Sequence, residues 1–210
     1  MSDPDNAGYR EPWLRVGARE WDRPAWRGRF FPPDLPEDWR LTYYATTAQA
    51  VLVPRDVWAN AAEAAWRGWA GDVPPVFRFY LELDGPQDRG AAARCAAVLG
   101  ARAGGLLLAR SGAERLEPVG NLPVLLPPVA APVAGARFWS DPEHLEAGPP
   151  PAALLLKTAG RSLRDLRVVL DSFGRRRDGG WGQALFVLDP TSDGAPLAEL
   201  RTLAELMGLS

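Results

Sequence analysis

The chain has 210 residues, of which 47% are hydrophobic, and its formal net charge at pH 7 is −2. This length and apolar content suffice to bury the core of one domain. The slightly acidic balance argues against the broad positive surface that nucleic acids or anionic membranes attract.

Residues 1–12 are polar and contain proline and glycine, so we expect a loose tail before a single domain over residues 13–210. Eight short apolar stretches follow and predict strands. Several are unbroken apolar runs, as in parallel strands that are covered on both faces. The stretches are Leu14–Gly17, Ala50–Val53, Phe77–Leu83, Gly105–Ala109, Pro123–Leu126, Ala136–Trp139, Ala153–Lys157 and Ala184–Leu188.

Helical patterns lie between several of these strands, and each has an apolar stripe at helical spacing. The stripes are Trp58, Ala62, Ala65 and Trp69; Ala92, Cys95 and Leu99; and Leu163, Leu166, Leu170 and Phe173. Capping and stop signals mark the helix ends. They are Asp38 as N-cap of a helix over Trp39–Gln49, Ser162 with Asp165 as a capping box, Gly174 as a helix end, Pro196 at a first helical position, and Gly208 as the last helix end.

Alternation of eight strands with helices predicts a (β/α)8 TIM-like barrel, for which 210 residues is near the lower limit. Strands four to seven are too close together for full strand–helix units, and residues 118–135 carry five prolines. We therefore expect a trimmed or irregular barrel with short or missing outer helices around residues 110–150. An open doubly wound sheet is the alternative.

The first third of the chain carries ordered aromatic motifs. It reads Val16-Gly17-Ala18-Arg19-Glu20-Trp21, then Trp26-Arg27-Gly28-Arg29-Phe30-Phe31-Pro32, then Leu41-Thr42-Tyr43-Tyr44-Ala45. From about Val16 to Leu83 the chain resembles the YecE-like family, also catalogued as domain of unknown function 72. The resemblance implies a TIM-like barrel, a bacterial or archaeal source and no known reaction.

Where the family carries polar groups at strand ends, this chain differs. It has Val51-Leu52-Val53-Pro54 for Val-Glu-Ile-Asn, Glu82 for a lysine, Lys157-Thr158-Ala159-Gly160 for Arg-x-His-Gly, and Leu188-Asp189-Pro190 for Phe-Asn-Asn. Barrel enzymes keep their chemistry at the carboxyl ends of the strands. The differences therefore indicate that this chain does not carry out the family's activity, whatever that is.

The residue inventory argues against metal and nucleophilic chemistry. The chain has one histidine, His144, and one cysteine, Cys95, and it has no dense carboxylate cluster. Cys95 lies on an apolar helical stripe, which predicts a buried, inert thiol. No dinucleotide fingerprint or P-loop is present, so we expect no cofactor and no metal. A lone cysteine, no leader-like start and no bilayer-length apolar run lead us to expect a cytoplasmic protein.

Two segments are candidate ligand sites. Lys157 and Arg161 precede a helix that opens at Ser162, a pattern that favours a phosphate or carboxylate. An ordinary capped helix with exposed charges is the alternative that explains the same residues. The aromatic loop after the first strand could stack a planar ligand, or could instead plug the barrel mouth with its own rings. The predicted ligand-binding residues are Arg19, Glu20, Trp21, Trp26, Arg27, Lys157, Arg161 and Ser162. Glu82 and Asp189 are the acid–base candidates, either as a pair such as Glu82 with Lys157 or as structural ion pairs.

The sequence therefore favours a YecE-like barrel without catalysis that binds a small anionic ligand or a partner. An enzyme acting on a small anionic, perhaps phosphorylated, substrate is the alternative. A module for single-stranded nucleic acid is a further alternative, which the acidic charge balance disfavours. The sequence predicts no oligomeric state.

Overall fold

The computed structural model describes residues 12–108, 119–125, 138–139, 151–175, 182–189 and 193–209. Its centre is one parallel sheet with the strand order β5-β4-β3-β2-β1-β8-β7-β6. The strands are β1 (Leu14–Arg19), β2 (Ala50–Val53), β3 (Arg78–Leu83), β4 (Ala103–Leu108), β5 (Val124–Leu125), β6 (Phe138–Trp139), β7 (Ala153–Leu156) and β8 (Gln183–Val187). All eight predicted strands are confirmed, with bounds that shift by a few residues.

The order of the strands runs outward from β1 in both directions and ends at β5 and β6. The described residues include no pairing between these two edge strands. The chain therefore has an α/β fold built on a parallel sheet, as expected. The segment in which we expected short or missing helices, residues 110–150, lies largely outside the described residues.

The two faces of the sheet bury separate hydrophobic clusters. The outer face packs against the helices. The inner face holds a second cluster made of Ala50, Leu52, Tyr80, Leu107, Leu125, Phe138, Ala153, Leu155, Ala184 and Phe186. Seven of the eight strands contribute to it, and β1 does not. Leu14, Val16 and Ala18 of β1 belong to the outer cluster, so the alternation of a strand gives Arg15, Gly17 and Arg19 to the inner face.

In the described part of the chain, six α-helices cover the outer face: α1 (Arg40–Thr47), α2 (Arg55–Asn60), α3 (Glu63–Gly71), α4 (Arg89–Leu99), α5 (Leu163–Arg175) and α6 (Ala195–Leu206). The stripe predicted for α4 is confirmed, since Ala92, Cys95 and Leu99 are buried. No helix in the described part of the chain is both long and apolar enough to cross a bilayer.

The single helix predicted around Trp58 and Trp69 is wrong. The backbone is extended at Ala61 and Ala62, which separates α2 from α3. Ala62 is exposed, and Trp66, which lies outside the predicted stripe, is buried instead. The indole Nε1 of Trp66 donates to the carbonyl oxygen of Trp58 at 3.0 Å. This bond satisfies a carbonyl oxygen in the last turn of α2, where no N–H group within the helix is available as a partner.

Three helix-end predictions need correction. Asp38 is not an N-cap, because it lies in a 3-10 turn, Glu37–Trp39, that runs directly into α1. Gly174 does not end α5, which continues to Arg175. A Cβ at Gly174 would lie 2.9 Å from the side chain of Leu209, so this glycine serves packing. Pro196 is the second residue of α6, after Ala195.

The apolar face of α5 differs from the prediction at two positions. Leu163 is 54% exposed, and Val169 joins Leu166, Leu170 and Phe173 on the buried side. The predicted end of the last helix at Gly208 is confirmed. Gly208 has φ +67° just past the end of α6, the left-handed conformation that glycine adopts readily at helix ends.

Candidate functional site

Three charged residues lie at the carboxyl edge of the sheet's inner face. We call this edge the carboxyl mouth. Arg19 ends β1, Glu82 is the fifth residue of β3, and Lys157 directly follows β7. Arg19 and Lys157 continue the alternation that turns Gly17 and Leu155 inward, and Glu82 continues that of Tyr80. All three were predicted as site residues from the sequence.

Arg19 and Glu82 form a two-bond ion pair across the mouth. Nε of Arg19 donates to Oε1 of Glu82 at 2.7 Å, and Nη2 donates to Oε2 at 2.9 Å. These hydrogen bonds raise the pKa of the Arg19 guanidinium, against the opposing effect of burial. The pair spans β2, whose inner residue Leu52 is fully buried between β1 and β3. Glu82 thus forms an ion pair, with Arg19 in place of the predicted Lys157.

A buried arginine fastens the end of β1 to the end of β8. Arg23 is 4% exposed, and its guanidinium donates to the carbonyl oxygens of Arg19, Val187 and Asp189. It also lies 5.0 Å from the ring centroid of Trp26, a cation–π distance. Burial lowers the pKa of Arg23. Sequence reasoning did not select Arg23 for the site. Its only signal was its position between aromatic residues.

Asp189 supports the neighbouring strand end. Its Oδ2 accepts hydrogen bonds from the backbone N–H of Thr158 and from Oγ1 of Thr158, the latter at 2.6 Å. Asp189 and Thr158 are 9% and 5% exposed. The carboxylate therefore joins the ends of β7 and β8. The role of Asp189 as an acid–base group stays a prediction.

The loop after β7 brings Lys157, Arg161 and Ser162 together. The side chain of Lys157 is exposed, and Nε of Arg161 donates to the carbonyl oxygen of Lys157 at 3.0 Å. Ser162 and Asp165 form the predicted capping box: Oδ2 of Asp165 accepts from the Ser162 N–H at 2.9 Å, and the Asp165 N–H donates to Oγ of Ser162 at 3.3 Å. The hydrogen bonds from Ser162 lower the pKa of Asp165. A carboxylate thus occupies the N-terminus of α5, where an anion was predicted.

The aromatic loop belongs to the layer between the sheet and the helices. Trp26 is fully buried, stacks on Tyr44 at 5.9 Å and contacts Phe30 and Phe31. Trp21 packs edge-on against Trp69 of α3 at 5.1 Å between ring centroids. Trp26 therefore presents no face to a ligand, and the rings form part of the outer core instead of a plug in the mouth. Arg27 is exposed, 3.7 Å from Asp22.

Glu20 stands at the exit of β1 in a strained backbone conformation. Its φ is +69°, and among the described residues it is the only non-glycine with positive φ. Its N–H donates to the carbonyl oxygen of Leu52 at 2.8 Å, which extends the pairing of β1 with β2. Burial raises the pKa of Glu20, and Arg23 and Arg19 oppose this shift.

The described residues hold no group of three His, Cys, Asp or Glu side chains that could bind a metal ion. His144 lies outside the described residues.

Comparison with known proteins agrees with the N-terminal motifs. The family described as "Protein of unknown function DUF72" matches residues 15–85. No curated protein matches the chain.

Three solved structures have a similar fold. A DUF72 family protein from Thermotoga maritima MSB8 has a TM-score of 0.57 at 12% identity, over 92% of this chain and 98% of that one. Two structures of a DUF72 family protein from Enterococcus faecalis V583 have TM-scores of 0.54 and 0.52 at 10% identity. They cover 94% and 96% of this chain and 96% and 100% of their own.

Identities of this size show the fold alone. The resemblance predicted from the N-terminal motifs is therefore confirmed: residues 15–85 match the DUF72 family, for which YecE-like is another name, and the chain shares the fold of that family's solved structures.

Proposed function

We propose that this chain is a binding protein without catalysis, which takes a small anionic ligand at the carboxyl mouth. The observation that carries the proposal is the ion pair of Arg19 with Glu82. Both carboxylate oxygens of Glu82 accept hydrogen bonds from the Arg19 guanidinium, and the buried side chain of Leu52 fills the position beside this pair. An acid–base catalyst needs a carboxyl group that reaches the substrate.

The charge at the mouth supports an anionic ligand. Lys157 is the only lysine of the chain and is exposed at the end of β7. Its ammonium group has no ion pair among the residues that the structure describes. The Arg19 side chain, 41% exposed, lies on the same inner face two strands away. Glu82 neutralises the charge of Arg19, so Lys157 is the cation at the mouth that suits a phosphate or carboxylate group.

We also infer that the sheet closes between β5 and β6 into a (β/α)8 barrel. Leu125 of β5 and Phe138 of β6 belong to one inner cluster, although they lie on opposite edges in the strand order. The sheet is curled, because the ring of Tyr80 on β3 packs against Phe186 on β8 at 5.1 Å between centroids, although β2 and β1 lie between these strands. Leu125→Cys with Phe138→Cys, in a Cys95→Ala background, should form a disulfide under mild oxidation. Absence of the disulfide in the folded protein would contradict closure.

A ligand screen tests the binding function. The nine tryptophans report unfolding, so thermal melts against phosphorylated metabolites and nucleotides should find a ligand that raises Tm in a saturable way. Lys157→Gln should remove most of that rise. Arg164→Gln is the matched control, since Arg164 is an exposed cation on α5 just beyond the loop.

An enzyme acting on a small anionic substrate is the second candidate, and Glu20 is the observation that favours it. A half-buried carboxyl with a raised pKa at a strand end is a feature of general acids. Turnover of any compound in the screen, abolished by Glu20→Gln, would replace the binding proposal with this one. Quenching of the tryptophan fluorescence by an oligonucleotide, if it weakens as salt is added, would instead support the nucleic-acid alternative.

A further inference from the structure

A cavity of about 270 Å³ lies at the amino edge of the sheet, on the side that the helices cover. Its wall is formed by the end of α1, the segment before β3 and the last turns of α6. The lining residues Ala48 and Phe77 belong to the outer hydrophobic cluster. This helix-side cavity is therefore separated by the sheet from the inner cluster, and it lies at the opposite end of the strands from the carboxyl mouth.

Arg201 of α6 holds the wall of the cavity in place. Its Nη1 donates to the carbonyl oxygens of Thr46 and Thr47 at 2.7 and 2.8 Å. These carbonyls end α1, where no N–H group within the helix is available to them. Nε of Arg201 donates to Oε1 of Glu205 at 2.8 Å. Because α6 is fastened to the end of α1 in this way, a ligand would find the cavity already formed.

The charges in the helix-side cavity cancel. Among the described residues that line it, Arg201 and Glu205 are the charged ones, and they form an ion pair. The cavity therefore has no net charge that would select an anion or a cation. The second carboxylate oxygen of Glu205, Oε2, accepts no hydrogen bond from the described residues. It can accept one from an N–H or O–H group of a ligand.

Gln49 supplies the matching hydrogen-bond donor. Its Oε1 accepts from the N–H of Val16 at 3.4 Å, which orients the side-chain amide, and its own N–H donates to the carbonyl oxygen of Val16 at 2.9 Å. The side chain is half-buried and lines the cavity. Its Nε2 carries two N–H donors, and neither has a partner in the described part of the chain. A half-buried donor without a partner favours a ligand that accepts its hydrogen bond.

We propose that the helix-side cavity binds a small neutral ring compound that carries an amide group. An amide accepts a hydrogen bond through its carbonyl oxygen and donates one through its N–H, which complements Gln49 and Glu205. Pro74 and Val76 add apolar surface to the wall, which suits a ring. The volume is about nine times the roughly 30 Å³ that one water molecule takes up in the liquid, so a ligand of about nine heavy atoms fits. Benzamide has this size.

The test compares benzamide with benzoate by saturation-transfer NMR titration of the whole chain at constant ionic strength. We expect saturable binding of benzamide. Benzoate has the same shape, but its carboxylate has no N–H for Glu205 and is repelled by it, so its Kd should be about tenfold higher. No saturable binding up to the solubility limit of benzamide would overturn the proposal. Equal affinity for benzoate would overturn the assignment to a neutral amide.

Gln49→Glu tests the donor. It keeps an oxygen that can accept from Val16 and removes both N–H donors of Nε2, so it should weaken benzamide binding about tenfold. Gln87→Glu is the matched control, because it makes the same change in charge at an exposed glutamine that does not line the cavity. Urea unfolding checks that each variant folds. Unchanged affinity in Gln49→Glu, or an equal loss in Gln87→Glu, would contradict the role of Gln49.

Ala45→Leu tests the location. Ala45 is a half-buried residue of α1 that lines the cavity, so a leucine there should occupy the space and abolish benzamide binding. Ala91→Leu on α4 is the matched control, since Ala91 is half-buried too and packs against the same outer cluster but does not line the cavity. Lys157→Gln should bind benzamide as the wild type does, which separates this site from the carboxyl mouth. Normal binding in Ala45→Leu, or a loss in Lys157→Gln, would overturn the placement.

Discussion

Glu82 on β3 holds Arg19 on β1 through both of its carboxylate oxygens, and β2 lies between them. A pair with two parallel hydrogen bonds fixes both side chains better than a single contact does. Because the Glu82 side chain is 12% exposed, water screens the pair less than it screens a surface pair. The ion pair therefore fixes the shape of the carboxyl mouth and adds no net charge to it.

A double-mutant cycle on this pair should give a favourable coupling of about 1 kcal/mol. Arg19→Met, Glu82→Gln and the double variant are compared by urea unfolding. The matched control is the exposed pair of Arg67 with Glu63 on α3, for which we expect no more than about 0.5 kcal/mol. Equal coupling in the two cycles would show that the carboxyl-mouth pair has no special strength.

Tyr44→Phe should destabilise the fold by about 2 kcal/mol. The fully buried hydroxyl of Tyr44 accepts from the N–H of Ala18 at 2.7 Å and donates to the carbonyl oxygen of Ala50 at 2.8 Å. It thus joins β1 to β2, and its loss leaves two buried backbone groups without that partner. Tyr43→Phe, one residue earlier and partly exposed, is the control, with a change within about 0.5 kcal/mol. Urea unfolding measures both.

Glu20→Gly should stabilise the fold by about 0.5 to 1 kcal/mol. Glycine adopts the positive φ of this position without the penalty that a Cβ brings. Glu199→Gly in the exposed middle of α6 is the control, and there glycine should cost about 1 kcal/mol. The same sign of change at both positions, measured by chemical unfolding, would contradict the strain at Glu20.

Glu20→Gln should change how stability depends on pH. Burial raises the pKa of Glu20, so the folded chain binds this proton more tightly than the unfolded chain, whose Glu has a pKa of about 4.3. The stability from this group is complete below that value and is lost as pH rises through the folded pKa. The Tm of Glu20→Gln relative to the wild type should therefore rise between pH 4 and 7.

For Asp165→Asn, Tm relative to the wild type should depend on pH in the opposite direction. Hydrogen bonds from Ser162 lower the pKa of Asp165. The stability from Asp165 is therefore present above the unfolded pKa, about 3.9, and is lost as pH falls through the folded value. The Tm deficit of Asp165→Asn should shrink in acid. If Tm relative to the wild type changes with pH in the same direction for both variants, the pKa shifts of Glu20 and Asp165 do not have opposite signs.

Cys95 should react with a disulfide reagent such as DTNB only after the chain unfolds. Burial raises the pKa of the Cys95 thiol to about 12, so the reactive thiolate is scarce at pH 8. The side chain is also fully buried in α4. In urea one thiol per chain should react at once, and this is the control. Fast labelling of the folded protein would contradict the packing of α4.

Elements whose signals are local could be predicted from the sequence. The strands are short apolar runs with clear boundaries, and the capping box of Ser162 and Asp165 needs only residues three apart. The break between α2 and α3 was missed because alanine favours a helix. At the break, the indole of Trp66 donates to the carbonyl oxygen of Trp58, a contact that the local sequence pattern does not show.

For the site, residue types and strand ends could be predicted, but pairings could not. The sequence by itself determined that Arg19, Glu82, Lys157 and Asp189 stand at the carboxyl ends of strands, because strand position follows from local apolar pattern. Only the tertiary structure decided that Glu82 pairs with Arg19, that Asp189 binds Thr158, and that Trp26 lies in the outer core. These contacts join residues on different strands or loops. Register and the curvature of the sheet set their partners, and no local signal in the chain encodes either of them.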